Sequence, residues 1–437
     1  MDVYVLNKDL ELVMVVDTFT SLIWDKFYNK VGAGELYIRA TAEALTNIQI
    51  GYYVQRSDDD MVCRVVKIEL DTSAENGNFL IFTLESVEAA LAQRIIWETA
   101  TCTGKLEPWL HGIVSDSLGA TAAADRQIKT PNNTLLITTG NTHGFKNTGS
   151  DQATYANVAE KITEICKREG WGWRLLLDGN HFKFDIYEGT DRTSTVFFSE
   201  DFGNLITTSY VDDCSNVGNI ALIAGEGEGS ARTKIEAGAA TGADRYELYI
   251  DARDLSHSIT YGELRKAYPG GTIRTETDYS DPDNPVDYYY YYMSSVDIPI
   301  LDANQLAVLQ AAYPGGTVVT VDDATYYRLT NIDVAELPTD TPADEDTAVV
   351  IDALYFGYLT DRGLSKMAEY GEKITFSGEI EPNRNFIYGT DYFLGDIVTI
   401  ESGYGISLPV RIVEVEEVFD ATGHTVTPKY EYLNTEE

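Results

Sequence analysis

The chain of 437 residues is long enough for about three domains, and its 44% content of hydrophobic residues excludes a disordered polymer. Asp and Glu number 70 against 32 Lys and Arg, which gives a formal net charge of −38. Because nucleic-acid affinity comes largely from Lys and Arg that neutralise phosphates, this charge argues against binding to DNA, RNA or anionic membranes. It is compatible with the wall of a DNA conduit, since repulsion keeps the polymer from adhering.

The cysteine and histidine residues are too scattered to predict a local metal site. No CxxC pair occurs, and the five histidines do not cluster with the cysteines. We therefore expect reduced, buried thiols at Cys63, Cys102, Cys166 and Cys214.

The sequence shows no feature that would take the chain into or across a membrane. The N-terminus has no basic region followed by an apolar stretch. No window approaches the roughly 20 apolar residues that span a bilayer. We expect a protein made in the cytosol, with no signal peptide and no membrane segment.

Residues 1–100 have the alternating pattern of a small antiparallel β-barrel or sandwich. An opening hairpin is predicted with strands over Val3–Leu6 and Leu10–Val16. A more continuous apolar strand follows over Phe79–Leu84, and a short helix over Ser86–Trp97 closes the region.

Residues 101–195 change to a pattern typical of a compact α/β domain. Thr154 resembles an N-cap, and a helix with one apolar stripe follows it and ends near Gly170. Two strands are then predicted over Trp171–Leu177 and His181–Tyr187.

Residues 256–370 are predicted to be an inserted α+β domain that contains an internal duplication. The segment Leu264-Arg-Lys-Ala-Tyr-Pro-Gly-Gly-Thr-Ile273 matches Leu309-Gln-Ala-Ala-Tyr-Pro-Gly-Gly-Thr-Val318, 45 residues later. Each copy is expected to form a helix that ends at Pro-Gly-Gly, followed by a strand and a Tyr-rich strand. The two copies therefore predict a duplicated helix–hairpin unit.

The β pattern on either side of this insert predicts a second, discontinuous β-barrel over 196–255 and 371–437. Within Leu408–Val415 the apolar positions change parity, as a β-bulge would produce.

A glycine-rich loop and two acidic loops are candidate sites of chemistry. The loop Ala224-Gly-Glu-Gly-Glu-Gly-Ser230 superficially resembles a phosphate-binding loop, but its glutamates would repel phosphate and no Gly-Lys-Ser/Thr follows. A tight strand connection explains its glycines better. Two acidic loops lack the spacing of a calcium loop and are expected to be solvated; their acids are Asp278, Asp281, Asp283 and Asp287, and Asp340, Asp344, Glu345 and Asp346.

The tyrosine run Tyr288–Tyr292 could belong to a sugar-binding or interface surface, although strand propensity and packing also explain it. With 70 acids in the chain, pairs of carboxylates give no specific sign of glycoside hydrolysis. We therefore predict no catalytic, cofactor-binding or metal-binding residues and no enzymatic activity.

Several short stretches, in this order and spacing, resemble the tail-tip hub (tail-associated) proteins of long-tailed siphophages, which are relatives of the contractile-phage baseplate hub. They begin with the opening hairpin and continue with Ser21-Leu-Ile-Trp24, Gly34-Glu-Leu36, Arg94-Ile-Ile96, Phe198-Ser199, Asn204-Leu205, Gly225-Glu-Gly-Glu-Gly-Ser-Ala-Arg232, Asp251-Ala-Arg-Asp254, Tyr388-Gly-Thr-Asp-Tyr-Phe-Leu-Gly-Asp-Ile-Val398 and Arg411-Ile-Val-Glu-Val415.

The resemblance implies a homotrimer in which each subunit gives two β-barrels to a ring, so that six barrels match a six-fold tail tube. The expected fold is mainly β with α/β modules: two small β-barrel hub domains, an α/β domain and the inserted α+β domain. The expected partners are the distal tail tube protein ring and a tail fibre or receptor-binding protein, without cofactors or sequence-specific nucleic-acid binding. The subunit would be assembled in the host cytoplasm and lie at the tail tip of the virion.

This interpretation makes the chain a structural protein that closes the tail tube, anchors fibre or receptor-binding proteins and gates DNA ejection. Two alternatives remain open. The chain could be a carbohydrate-binding or depolymerase tail protein, or the hub of a phage-derived injection particle.

Overall fold

The computed structural model describes residues 1–73, 77–207, 209–238, 240–300, 303–321, 324–337, 347–371, 373–377, 385–401 and 404–432. Strands arranged in several sheets make up most of its regular structure, and six α-helices accompany them in the described part of the chain. The predicted fold class, mainly β with α/β modules, is confirmed.

The first β region is built from seven strands and one short helix. Alternate side chains of its strands point into one core, where Trp24, Leu36 and Phe82 are fully buried. The predicted opening hairpin forms, with Val3 opposite Val16. The elements are β1 (Val3–Leu6), β2 (Leu12–Val16), β3 (Ser21–Phe27), β4 (Ala33–Arg39), α1 (Ala42–Asn47), β5 (Tyr53–Arg56), β6 (Val62–Ser73) and β7 (Gly77–Ser86).

The α/β module follows a 3₁₀ helix over Val87–Gln93, which is shorter than the predicted closing helix. Two helices and two small sheets enclose a second core that includes Leu110, Trp171 and Phe184. The elements are β8 (Ala100–Lys105), α2 (Leu106–Leu118), β9 (Ile137–Thr139), β10 (Thr148–Ala153), α3 (Val158–Glu169), β11 (Gly172–Asp178) and β12 (His181–Tyr187).

The predicted N-cap of helix α3 was wrong by three residues. The Asn157 side chain accepts the backbone N–H groups of Ala159 and Glu160, so Asn157 is the cap. The Thr154 hydroxyl instead donates to the Thr99 hydroxyl at 3.0 Å. The helix ends at Gly170 in the left-handed conformation, as the sequence indicated.

The insert has a core of its own, which also includes a small three-stranded sheet from the preceding segment. This sheet comprises β15 (Ile220–Ala224), β16 (Lys234–Ala237) and β17 (Glu247–Asp251), preceded by β13 (Phe197–Ser199) and β14 (Ser209–Asp213). A side chain at Gly363 would come within 2.6 Å of Ile223, because a helix of the insert packs directly on this sheet. Residues 220–251 therefore pack with the insert, whereas the sequence analysis grouped them with the second barrel.

The two copies of the repeat adopt the same helix–hairpin arrangement. The Tyr291 hydroxyl donates to the Tyr268 carbonyl at 2.5 Å, and the Tyr327 hydroxyl donates to the Tyr313 carbonyl at 2.5 Å. The elements of the insert are β18 (Ser258–Thr260), α4 (Tyr261–Ala267), β19 (Thr272–Asp278), β20 (Val286–Pro299), α5 (Ala303–Ala312), β21 (Thr317–Val321), β22 (Ala324–Leu337), β23 (Ala348–Val350) and α6 (Asp352–Met367). Strands β20 and β22 pair antiparallel and join the two units.

The second β region consists of β13, β14, β24 (Lys373–Ser377), β25 (Ile397–Glu401), β26 (Ser407–Asp420) and β27 (Gly423–Tyr432). Its core includes Phe198, Tyr392 and Ile412 and is separate from the core of the first region. The register of β26 against β27 shifts between Ile412 and Glu414, where the sequence predicted a bulge.

The two β regions share one sheet. Strand β26 pairs with β25 through its first half and with β3 through its second half. The strand order is β14-β24-β27-β26-β3-β4-β7-β6-β5-β1-β2, with β25 on β26 and β13 on β25. The sequence predicted two barrels, and this stays a prediction; in the described residues, one sheet spans two separate cores.

Candidate assembly surfaces and the junction of the β regions

A buried cluster of charges joins the first β region to the second beside the β3–β26 pairing. Arg56 Nη1 lies 2.8 Å from Glu417 Oε1, and Lys26 Nζ lies 3.4 Å from the same oxygen. His424 Nε2 lies 3.0 Å from Glu417 Oε2, and Asp59 forms an ion pair with Lys26. Because Arg56 and Glu417 are both buried, their charges depend on each other for stabilisation.

The ionised form of Glu417 is strongly favoured at this junction. Burial alone would raise the pKa of Glu417, but the hydrogen bond with His424 and the charges of Lys26 and Arg56 outweigh burial and lower it to about 2. Arg56 and Glu417 are 361 residues apart in the chain, so no local sequence pattern could have identified the pair.

One end of the shared sheet is the strand β2, which is apolar and open along its outer side. In the described part of the chain β2 pairs only with β1. Its sequence, Leu-Val-Met-Val-Val, contains no charge, and Leu12 is 58% exposed, with Val13 and Val15 also exposed. Natural edge strands are usually protected by charges, Pro or bulges. The register of β1 against β2 shifts at Val13, so the edge is irregular there, but it carries no charge and exposes apolar side chains to a possible partner strand.

The other end of the sheet is the strand β14, whose five side chains are all exposed. Among the described residues β14 pairs only with β24. Tyr210 and Val211 give this edge an apolar surface, and Phe202 and Ile206 extend it along the preceding loop. Exposed apolar side chains therefore lie on both of these terminal strands, although β14 also carries Asp212 and Asp213.

The glycine-rich loop is a tight strand connection in the structure. Arg232 Nε donates to the Gly225 carbonyl at 2.8 Å, and its Nη2 lies 2.7 Å from Asp251 Oδ1. The Glu226 amide donates to the Tyr355 hydroxyl at 2.7 Å, and a side chain at Gly225 would come within 2.2 Å of that oxygen. The glycine is thus needed for the close approach of Tyr355.

The described acidic loop uses its carboxylates within its own turns. Asp278 accepts the Ser280 amide at 2.7 Å, and Asp281 accepts the Asp283 amide at 3.1 Å. The second acidic loop, with Asp340, Asp344, Glu345 and Asp346, lies outside the described residues. No group of three or more metal-ligating side chains occurs in the described ranges.

The tyrosine run forms part of the central strand β20, between β19 and β22. Tyr291 is buried in the core of the insert, and the Tyr292 hydroxyl donates to Asn331 Oδ1 at 2.5 Å. Packing and hydrogen bonding therefore account for these two side chains.

Three cysteines are buried as expected, but the expectation failed for Cys214, which is exposed. Cys214 follows directly after the edge strand β14, where no core covers it. Burial raises the pKa of the Cys63 and Cys166 thiols well above the usual value. Within the described residues, no helix is long and apolar enough to span a membrane.

Three solved structures resemble the chain along nearly its whole length. The tail protein from Neisseria meningitidis MC58 is 10% identical, with a TM-score of 0.47, and the match covers 98% of this chain and 96% of that chain. The 43 kDa tail protein of prophage MuSo2 from Shewanella oneidensis is 9% identical, with a TM-score of 0.47 and 98% of each chain covered. Prophage tail protein gp18 from Listeria monocytogenes EGD-e is 10% identical, with a TM-score of 0.47 and coverage of 100% and 95%.

No curated protein matches the chain. The Siphovirus ReqiPepy6 Gp37-like protein family matches residues 2–429. The siphophage family expected from the sequence is thereby confirmed, and the chain belongs to the Siphovirus ReqiPepy6 Gp37-like protein family.

Proposed function

We propose that this chain is a structural subunit of a phage tail tip, a hub that assembles as a homotrimeric ring. The siphophage family and the ordered hub-like stretches of the sequence support this role. The observation that supports the proposal is the shared sheet of two β regions, which ends in the apolar strand β2 on one side and in β14, with exposed Tyr210 and Val211, on the other.

The two open edges differ from each other, which favours a head-to-tail contact. When β2 of one subunit pairs with β14 of the next, the contact is heterologous, and such contacts form rings when the rotation closes. Each of these strands has five residues, so one pairing would add a short ladder, which is most regular over Met14–Val16, beyond the register shift at Val13. In a trimer three such contacts close the ring and pair the β2 and β14 ends of the sheet. The outer side of β13, which pairs only with β25 among the described residues, lies outside these contacts.

The ring would close the distal end of the tail tube, contact the distal tube protein ring, hold a fibre or receptor-binding protein and open for DNA. A surface with a net charge of −38 repels the phosphate backbone, so DNA would pass without adhering. The insert packs mainly around its own core, and we assign to it the contact with a fibre protein. In this proposal the protein assembles the tail tip and gates DNA passage, and it catalyses no reaction. The subunit is made in the host cytoplasm.

Light scattering of the purified chain over a range of concentrations tests the trimer. We expect a mass three times the 48.5 kDa of one chain. A monomer at every concentration would contradict a self-assembling ring.

Matched substitutions test the edges. Val13→Lys on β2 and Val211→Lys on β14 each place a charge on an exposed edge position and should shift the equilibrium toward monomer. Leu222→Lys, at a similarly exposed apolar position on the three-stranded sheet, should leave the trimer intact. If both edge variants remain trimeric, the ring is held by other surfaces.

A further inference from the structure

A cavity of about 430 Å³ lies between the first β region and the α/β module. Every charged side chain among the described residues of its wall is a cation, namely Lys8, Arg64 and Lys129. This is unusual for a chain in which Lys and Arg number 32 against 70 acids. The size is within the range of small-molecule sites, which combine apolar walls with a few polar groups.

Two of these three cations have no carboxylate partner. Lys8 and Lys129 form no ion pair with any described residue. Arg64 Nη2 lies 3.4 Å from Glu85 Oε2, but both side chains are partly exposed, and Glu85 is not part of the described wall. Since an exposed ion pair of this kind contributes little, Arg64 remains available to a second anion. The wall therefore holds two positive charges that no described carboxylate neutralises.

The two unpaired lysines come from the two sides of the cavity, on loops that are bonded to each other. A side chain at Gly51 would come within 2.9 Å of Lys8 Cε, so the Lys8 side chain lies across this glycine. The Asn132 amide donates to Asp9 Oδ1 at 2.9 Å. This bond ties the module loop that carries Lys129 to the turn that carries Lys8. A single ligand could therefore contact both ammonium groups.

Tyr53 supplies a hydrogen-bond donor that the described residues do not use. The residue is only 8% exposed, and its ring packs edge-to-face on Phe182 with centroids 5.3 Å apart. Its hydroxyl has no hydrogen-bond partner in the described part of the chain, yet it is not one of the fully buried polar atoms, so it opens to the cavity. A buried tyrosine hydroxyl usually has a partner. Tyr53 lies opposite Arg64 on the neighbouring strand; burial raises the pKa of Tyr53, and the nearby Arg64 charge acts in the opposite direction.

We propose that this cavity binds an organic phosphate monoester. Such a group carries roughly two negative charges at neutral pH and three strong acceptor oxygens. These match the two unpaired lysines and the unused Tyr53 hydroxyl. The half-buried Ile128 and the exposed Pro131 offer apolar surface to the organic part of the ligand. The proposal does not depend on the trimeric ring.

The net charge of −38 does not oppose a small anion in this cavity. At physiological ionic strength, charges farther apart than about 8 Å are largely screened from each other. A small ligand therefore responds mainly to the cations of the wall. A long polyanion such as DNA also meets the acidic surface around the cavity and is repelled.

Calorimetric titration of the full chain with phenyl phosphate tests this site. We expect weaker binding of benzoate, which carries a single charge, and of inorganic phosphate, which lacks the apolar group. Butylammonium should not bind. Replacing Lys8 and Lys129 together by Gln removes both unpaired charges and should weaken binding of phenyl phosphate at least about tenfold. The matched control replaces Lys67 and Lys167 by Gln, because these two lysines are exposed, lie outside the cavity wall and again come one from each part.

Tyr53→Phe provides a further variant that removes only the hydroxyl and should weaken binding of phenyl phosphate several-fold. The proposal is overturned if phenyl phosphate does not bind, if the variant without Lys8 and Lys129 binds it as tightly as the unchanged chain, or if the control variant weakens binding equally. Benzoate binding as tight as that of phenyl phosphate would contradict the assignment to a dianion. Because binding is measured in any oligomeric state, its failure would leave the proposed ring unaffected.

Discussion

Replacing Glu417 with Gln should destabilise the junction between the β regions by about 3 kcal/mol. The substitution removes a charge that Arg56 and His424 both contact, and breaking a buried ion pair typically costs about 3–5 kcal/mol. Arg56 keeps its ion pair with Asp58 at 3.0 Å, so we expect the lower end of this range. The pKa of Glu417 gives a similar magnitude: a fall from 4.5 to about 2 corresponds to about 3 kcal/mol, at 1.36 kcal/mol for each pKa unit.

The same pKa fixes the pH dependence of this effect. Because folding lowers the pKa of Glu417, its stabilising contribution is complete above about pH 4.5 and is lost as the pH falls toward 2. Urea unfolding at pH 7 should therefore show the full loss in Glu417→Gln, and the difference from the unchanged protein should be clearly smaller at pH 3.

Glu431→Gln is the control, because Glu431 is an exposed acid on the neighbouring strand β27. It should change the free energy of unfolding by less than about 0.5 kcal/mol. If Glu417→Gln is as stable as Glu431→Gln at pH 7, the charge cluster does not hold the two β regions together.

Three further predictions concern the insert, the helix α6 and the thiols. Gly271→Ala and Gly316→Ala should each destabilise the chain by about 1–3 kcal/mol in urea unfolding. The new methyl group would lie 2.1 Å from the Tyr291 ring in the first variant and 2.4 Å from the Tyr327 ring in the second. Gly315→Ala is the control and should not destabilise the chain, because a methyl group there would meet open space. Burial raises the pKa of Asp361 from 3.8 to about 8. The contribution of the protonated group to stability is therefore complete below about pH 4 and is lost as the pH rises to 8. The free energy of unfolding of Asp361→Asn, measured over the same pH range, should not show this decrease. A thiol reagent should label one cysteine per folded chain, Cys214, and all four after denaturation; rapid labelling of a second thiol would contradict the buried positions.

Structural features that depend on neighbouring residues could be predicted from the sequence. The opening hairpin, the parity change in β26 and the helix ending at Gly170 all follow from side-chain periodicity or glycine conformation. The helix cap was misplaced because Thr154 and Asn157 are both good capping residues, and only the fold decides that Thr154 bonds to Thr99.

Contacts between segments that are distant in the chain could not be predicted from the sequence. The sharing of one sheet by the two β regions depends on the long strand β26, whose pairing with β3 is set by tertiary contacts alone. Likewise, strand β15 has an apolar sequence that could pack against either β region or the insert. The small residue Gly363 lets helix α6 approach Ile223, which brings β15 into the core of the insert.

The burial of Glu88 had no sequence signal at all. In a chain with 70 acids, one more glutamate at the start of a helical turn is unremarkable. Its burial depends on distant segments, since Oε1 accepts the amide of Leu175, 87 residues away.

The location of the protein in the virion tests the central claim most directly. Virions of the phage that encodes this chain can be labelled with a gold-conjugated antibody against it and imaged by electron microscopy. A tail-tip hub predicts gold at the distal end of the tail and nowhere else. Gold on the capsid or along the tail shaft would contradict the hub.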